Sequence, residues 1–194
     1  MKNLPAKMEW VTFKRQGESG VLKEIDAHSL DEVLEQLTVW KNAFSHSPEY
    51  NALNEEEQDE AAAVIMGFGE YMYSFQGLRP GEWESEALKH CCTQDLPKWM
   101  VAESSFFDLL PPILQAFFQY LGRESHLLQS KKLQETLLSC SEHITQNAQD
   151  PARWSQEKFY VLTAALEGHD LHDSEQLDDF VRSYEEQFQS LNHF

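Results

Sequence analysis

Ser29-Leu30-Asp31-Glu32-Val33-Leu34-Glu35-Gln36-Leu37-Thr38-Val39-Trp40-Lys41-Asn42-Ala43-Phe44 decides the fold class. Ser29 with Glu32 three residues on is a capping box: the serine oxygen accepts from a free backbone N–H while the glutamate reaches back to the cap. Behind it Leu30, Val33, Leu34, Leu37, Trp40 and Phe44 recur at steps of three and four, one apolar stripe of an amphipathic helix. The same grammar returns downstream. Asn54-Glu55-Glu56-Glu57 caps a stripe of Ala61, Val64, Ile65, Phe68, Met72 and Phe75 that stops near Gly77. Trp83 to Cys92 reads as a short helix ended by Leu96-Pro97, and Ser104/Ser105 as the start of a helix that Pro111-Pro112 interrupts. A fresh helix is then expected from Pro112, with Ile113, Leu114, Phe117, Phe118 and Leu121 inward and Gly122 at its end, and this should be the most buried element. Leu133, Leu137, Cys140, Ile144 and Ala148 form another stripe, and Asp150-Pro151 ends that helix or starts the next. Trp154 to Leu166 forms the next helix, closed by Gly168, and Asp173-Ser174-Glu175-Gln176 opens the last, with Leu177, Phe180, Val181, Tyr184, Phe188 and Leu191 on one face.

The expectation is therefore an all-α chain, an irregular multi-helix bundle of seven or eight helices. Residues 29–194 read as one helical domain, since no Gly/Ser-rich or Pro-rich linker and no repeat divides them. Residues 1–28 read as an N-terminal arm or a short hairpin, in which Trp10-Val11-Thr12-Phe13 and Val21-Leu22-Lys23-Glu24-Ile25 flank Gln16-Gly17-Glu18-Ser19-Gly20.

Composition narrows the function classes. Of the 194 residues 41% are hydrophobic and 12% aromatic, enough to build a core and too many for a disordered chain. No apolar run reaches the ~18 residues of a membrane span, and Met1-Lys2-Asn3-Leu4-Pro5 carries no secretory apolar core, so a cytoplasmic location is the default expectation. Net charge is −18, unevenly spread. Residues 29–89 carry three basic and thirteen acidic side chains, and residues 141–194 three and eleven. Residues 90–140, with four against five, are nearly neutral. Such a surface repels phosphate backbones and anionic membranes, so neither nucleic acid nor membrane is an expected partner; a basic protein is. The acidic run Asn54 to Glu60 reads as a solvated helix start or as a docking face for such a partner, and lacks the alternation and closing glutamate of a calcium loop. The oligomeric state stays open.

Three constellations carry chemistry. His169-Asp170-Leu171-His172-Asp173 offers imidazoles and carboxylates to a divalent metal, with His169, Asp170 and His172 as the ligand set of a metal-dependent hydrolase. Against that, Gly168 suits a helix C-cap and Asp173 an N-cap, which makes the segment an ordinary polar turn. His90-Cys91-Cys92 lacks the spaced pair of a closed zinc site, and with Cys140 it reads as buried or half-buried free thiols. Trp154 with Lys158 one turn on is the candidate binding pair, weighed against a plain core role for the tryptophan. No phosphate loop, nucleophile elbow or H-E-x-x-H occurs, and no cofactor is implied. The favoured function is a non-enzymatic protein-interaction or accessory domain. The rivals are the hydrolase and a small-molecule sensor with an inter-helix cavity lined by Phe106, Phe117 and Trp154.

Residues 83–186 carry a resemblance. Trp83 through Cys91-Cys92 to Leu96-Pro97-Lys98, then Leu110-Pro111-Pro112 through Phe117-Phe118 to Leu121, then Ala148-Gln149-Asp150-Pro151-Ala152-Arg153-Trp154 running on through Glu157-Lys158 and Gly168-His169-Asp170-Leu171 to Phe180, Tyr184 and Glu185, resemble a family of bacterial and archaeal conserved hypothetical proteins. That family is similar in its D-P-x-x-W-G-x-A-K stretch followed by G-x-D-L and a later phenylalanine. Ser155 stands where it has glycine and Glu157 where it has alanine. The resemblance implies an all-α domain and no particular activity. Some members carry a C-terminal SEC-C cysteine motif that binds zinc; this chain reaches Phe194 without one, so zinc is not carried over.

Overall fold

The computed structural model describes residues 27–169 and 180–183. Among them the regular structure is all helical. It comprises α1 (Ala27–Phe44), α2 (Pro48–Asn51), α3 (Glu55–Gln76), α4 (Ser85–His90), a π-helical turn (Cys91–Asp95), α5 (Leu96–Trp99), α6 (Ser104–Arg123), α7 (Ser130–Gln149), a 3₁₀ turn (Pro151–Arg153) and α8 (Gln156–Glu167). Residues 180–183 are helical as well. The expected arm, residues 1–28, lies outside the described residues except for Ala27 and His28, which already belong to α1. Most of the expected last helix, from Asp173 on, lies outside them too.

The sequence signals are realised where they are chemically specific. At Asn54 both halves of the capping box form, Asn54 Oδ1 accepting from the Glu57 N–H and Glu57 Oε2 accepting from the Asn54 N–H, each at 2.9 Å. Gly77 takes the left-handed conformation (φ 70°) and Leu78 N–H closes on Met72 O at 3.2 Å, a six-residue C-terminal closure. The short α2 escaped the sequence reading, although Ser47-Pro48 is its start signal: Ser47 Oγ accepts from Tyr50 N–H at 3.1 Å. The Ser29 cap is corrected. α1 begins at Ala27, so Ser29 sits inside the first turn. Val33, Leu37, Trp40 and Phe44 are buried as expected.

Three expected breaks are not breaks. α6 runs through Pro111 and Pro112 without interruption. Each internal proline costs about 3 kcal/mol. The stripe that crosses the pair, Phe107, Leu110, Ile113, Leu114, Phe117 and Phe118, is fully buried, and each such side chain contributes about 1.5–3 kcal/mol only while the helix stays continuous. Eight of α6's residues are buried, more than in any other described helix, which puts it at the centre of the core as its neutral charge suggested. α6 also passes Gly122. The residue that turns left-handed is Ser125 (φ 62°), with Ser125 N–H on Gly122 O (3.2 Å) and His126 N–H on Leu121 O (2.9 Å). Leu96-Pro97 ends nothing either: α4, the π turn and α5 form one continuous helical rod over residues 85–99.

Gly122 serves packing. α7 starts so close that a Cβ there would lie 2.4 Å from Ser130 Oγ, which itself donates to Phe118 O at 2.5 Å. Gly122→Ala is expected to lower stability by about 1–3 kcal/mol in urea unfolding, because the buried serine has no room to yield. A neutral result would mean that α6 and α7 part easily.

Candidate functional site

The rod 85–99 is built around Pro97. A proline in mid-helix offers no N–H and drives its ring at the carbonyl one turn back. Here that turn is widened: Leu96 N–H reaches Cys91 O, five residues back, and the Thr93 carbonyl takes a bond from Asn147 Nδ2 of α7 at 2.7 Å. Asn147→Ala leaves a buried carbonyl unsatisfied and is expected to cost about 1–3 kcal/mol in thermal or urea unfolding. Loss of less than half a kcal/mol would show that another donor, or water, replaces it.

The wider turn also changes which side chains meet. In a regular α-helix, residues five apart point about 140° away from each other. Across the π turn His90 and Asp95 come together, Nδ1 to Oδ2 at 3.2 Å. Gln76, from the end of α3, donates its amide N–H to the same Asp95 oxygen at 2.5 Å and lies 3.1 Å from His90 Nδ1. The Asp95 carboxylate is nearly buried, its side chain 10% exposed, while His90 faces outward.

Past α5 the helix end must dispose of free carbonyls. Lys98 O accepts from Ser155 N–H at 2.8 Å, and Pro97 O accepts from the Lys158 ammonium at 2.7 Å. Lys158 is 1% exposed, its Nζ 4.9 Å from the centre of the Phe107 ring and 5.1 Å from that of Trp154. Burial lowers its pKa from 10.5 to about 8. Ser155, the residue at the glycine position of the resembled pattern, is buried and caps α8 by accepting from Lys158 N–H at 3.0 Å. This corrects the expected helix start at Trp154: Asp150 caps the 3₁₀ turn through Ala152 N–H (3.1 Å), and Trp154 lies in the extended step between turn and helix. Its indole N–H is tied to Ala148 O at 2.8 Å.

These contacts hold open a cleft of ≈ 600 Å³ between the rod, the end of α3 and the 3₁₀ turn. Its chemistry comes from Phe75, His90, Lys98, Trp99, Arg153 and Trp154. Phe75, expected in the α3 core stripe, is half-buried here and stacks on Trp99 (6.2 Å, 26°). The Lys98 ammonium lies 4.7 Å from the centre of the Trp99 ring. Arg153 Nε pairs with Asp150 Oδ2 at 3.3 Å.

Of the expected binding pair, Trp154 lines the cleft and Lys158 lies behind it, committed to Pro97. Of the expected cavity lining, Phe117 is buried against Phe44 and Tyr120 and Phe106 packs on Phe107, so Trp154 alone faces the cleft. His169 follows the left-handed Gly168, donates its N–H to Ala164 O (3.0 Å), lies 3.8 Å from Glu167 and packs its ring on Phe180 at 4.9 Å. Asp170 and His172 lie outside the described residues. Among the described residues no three His, Cys, Asp or Glu side chains are grouped to hold a metal, and no helix is long and apolar enough to cross a membrane. Cys91, Cys92 and Cys140 are buried free thiols, their pKa values pushed up by burial.

The sequence reading missed Lys98, Trp99 and Arg153. A signal was present: Lys98-Trp99 and Arg153-Trp154 are the two places where a basic residue precedes tryptophan, each basic residue one or two positions after a proline. No family model, curated protein or solved structure matches the chain.

Proposed function

We propose that the chain is a non-enzymatic helical interaction domain whose contact site is the cleft between the π-turned rod and Trp154. One observation carries this reading. Two basic–tryptophan pairs far apart in sequence, Lys98-Trp99 and Arg153-Trp154, line one half-open cleft with Phe75. Tryptophan and arginine dominate the energetics of protein contacts, and a ring whose rotation is already fixed, as Trp154's is by Ala148, loses little entropy on binding. Among the described residues the large exposed apolar side chains, Val39, Leu128, Leu138 and Leu166, fall one to an element or loop, and the reading rests on the cleft. The cysteines, as buried thiols of raised pKa, make poor nucleophiles.

The test compares quantitative affinity capture by the wild type, by Lys98→Glu/Arg153→Glu, and by Glu55→Lys/Glu56→Lys on the acidic start of α3. Partners held by the wild type and the α3 variant but lost by the cleft variant, with unchanged melts, support the reading. Equal capture by all three defeats it. Stoichiometric metal in the purified protein, with a melting point lowered by chelator, would favour the hydrolase built on His169, Asp170 and His172 instead.

A further inference from the structure

We infer that Lys158 is a proton-operated latch on the cleft: charged, it holds the Trp154 ring in place as part of the wall, and loss of its proton to water frees that ring to turn. As a control on partner contact, the latch rests on the reading above. Lys158 is 1% exposed, at the seam where the end of α5 meets α8 and Phe107 of α6. One of its three N–H groups goes to Pro97 O at 2.7 Å, and Nζ lies over two rings, 4.9 Å from the centre of Phe107 and 5.1 Å from that of Trp154. A cation is attracted to a ring face, and a neutral amine loses that attraction. Two directed contacts hold the Trp154 ring among the described residues, this one and the indole N–H to Ala148 O at 2.8 Å. A single hydrogen bond at the ring's edge leaves rotation about it. Phe107 is fully buried, whereas Trp154 is half-buried and lines the cleft, so Trp154 is the partner that yields.

Among the described residues no other charge competes for this amine. On α5, Lys98 lies over the Trp99 ring at 4.7 Å, and in the 3₁₀ turn Arg153 pairs with Asp150 at 3.3 Å. On α6, Asp108 accepts from Thr145 Oγ1 at 2.7 Å, and in the π turn Asp95 is taken by Gln76 and His90. On α8 itself Glu157 is exposed and the Tyr160 hydroxyl accepts from Gln156 Nε2. None of these pairs with the Lys158 ammonium among the described residues. Burial therefore sets its proton affinity and brings its pKa to about 8, so the amine is mostly charged a unit below that pH and mostly neutral a unit above. Losing the proton relieves the buried charge and in the same step removes the pull on the ring. The wall loosens while the fold stays intact.

The experiment follows the full-length protein, ¹³C-labelled in its tryptophan rings and lysine side chains, by NMR from about pH 6.5 to about pH 9.5. Trp154→Phe and Lys158→Met assign the two sets of signals. In the wild type the Lys158 ε-carbon and the Trp154 ring are expected to shift on one curve with its midpoint at about 8, and the Trp154 curve to vanish in Lys158→Met. The nuclear Overhauser contact between the Trp154 ring and the Lys158 ε-methylene separates motion from the mere loss of a nearby charge: it is expected at about pH 7 and lost at about pH 9. A contact that persists at the higher pH overturns the latch. So does a Trp154 curve that survives in Lys158→Met, or a Lys158 ε-carbon that has not passed its midpoint by the end of the range. If Lys158→Met does not fold, the midpoint and the ring contact of the wild type decide alone. No partner enters this experiment, so its failure leaves the cleft as the contact site, whereas equal capture by the three proteins compared above removes the contact site and leaves the latch.

Discussion

Between pH 8 and pH 10.5 the wild-type protein is expected to gain about 3 kcal/mol of stability relative to Lys158→Met, measured by urea unfolding at half-unit pH steps. Burial holds the folded-state pKa of Lys158 at about 8, below its ordinary 10.5. In that window the unfolded chain keeps the proton that the folded chain has released, so the unfolded state binds more protons and stability rises with pH. Below pH 8 both states carry the charge and the folded state bears the full cost of burying it. Above 10.5 both are neutral and the gain is complete. The difference between wild type and variant isolates this residue, because Tyr71 and the three cysteines, whose pKa values burial raises, act with the opposite sign and cancel. At neutral pH the two proteins differ less, since methionine loses the bond to Pro97 O while relieving the buried charge. A gap that stays flat across the window would mean that the ammonium is solvated and the seam between α5 and α8 is open.

Phe118→Ala is expected to remove about 3–5 kcal/mol and to lower the melting temperature on the order of ten degrees. Phe118 is fully buried on α6, in edge contact with Phe68 (5.7 Å) and Trp83 (6.0 Å), the latter in edge contact with Trp40 on α1 (6.2 Å). The ring thus joins three helices and the loop before α4, and none of these neighbours can collapse into the space it leaves. Leu128→Ala is the control: the side chain is 94% exposed and its loss should change stability by no more than about 0.5 kcal/mol. A loss below 1 kcal/mol for Phe118→Ala would place the core elsewhere.

The pattern of successes and corrections has a physical basis. Signals that act within one turn were legible. The Asn54–Glu57 capping box, the left-handed closures at Gly77 and Gly168 and the stripes of α1, α3 and α7 all involve groups a few residues apart, so the sequence contains both partners. Proline and glycine misled because their local meaning was overridden from a distance. Pro97 should stop a helix, but a side chain from α7, Asn147, takes up a carbonyl in the turn it disturbs. Gly122 should end α6, but it is small because Ser130 approaches it.

By itself the sequence determined the all-α class, the approximate spans of α1, α3 and α7, α6 as the most buried of the described helices and the burial of the thiols. Each follows from periodicity, capping chemistry and composition. Only the tertiary structure decided that the rod 85–99 is unbroken, that His90 meets Asp95 across a π turn, that Lys158 is buried behind Trp154, and that two basic–tryptophan pairs share one cleft. Those outcomes depend on partners dozens of residues away whose contribution exceeds a local preference of a few kcal/mol, and no spacing along the chain records which distant group will supply the missing bond.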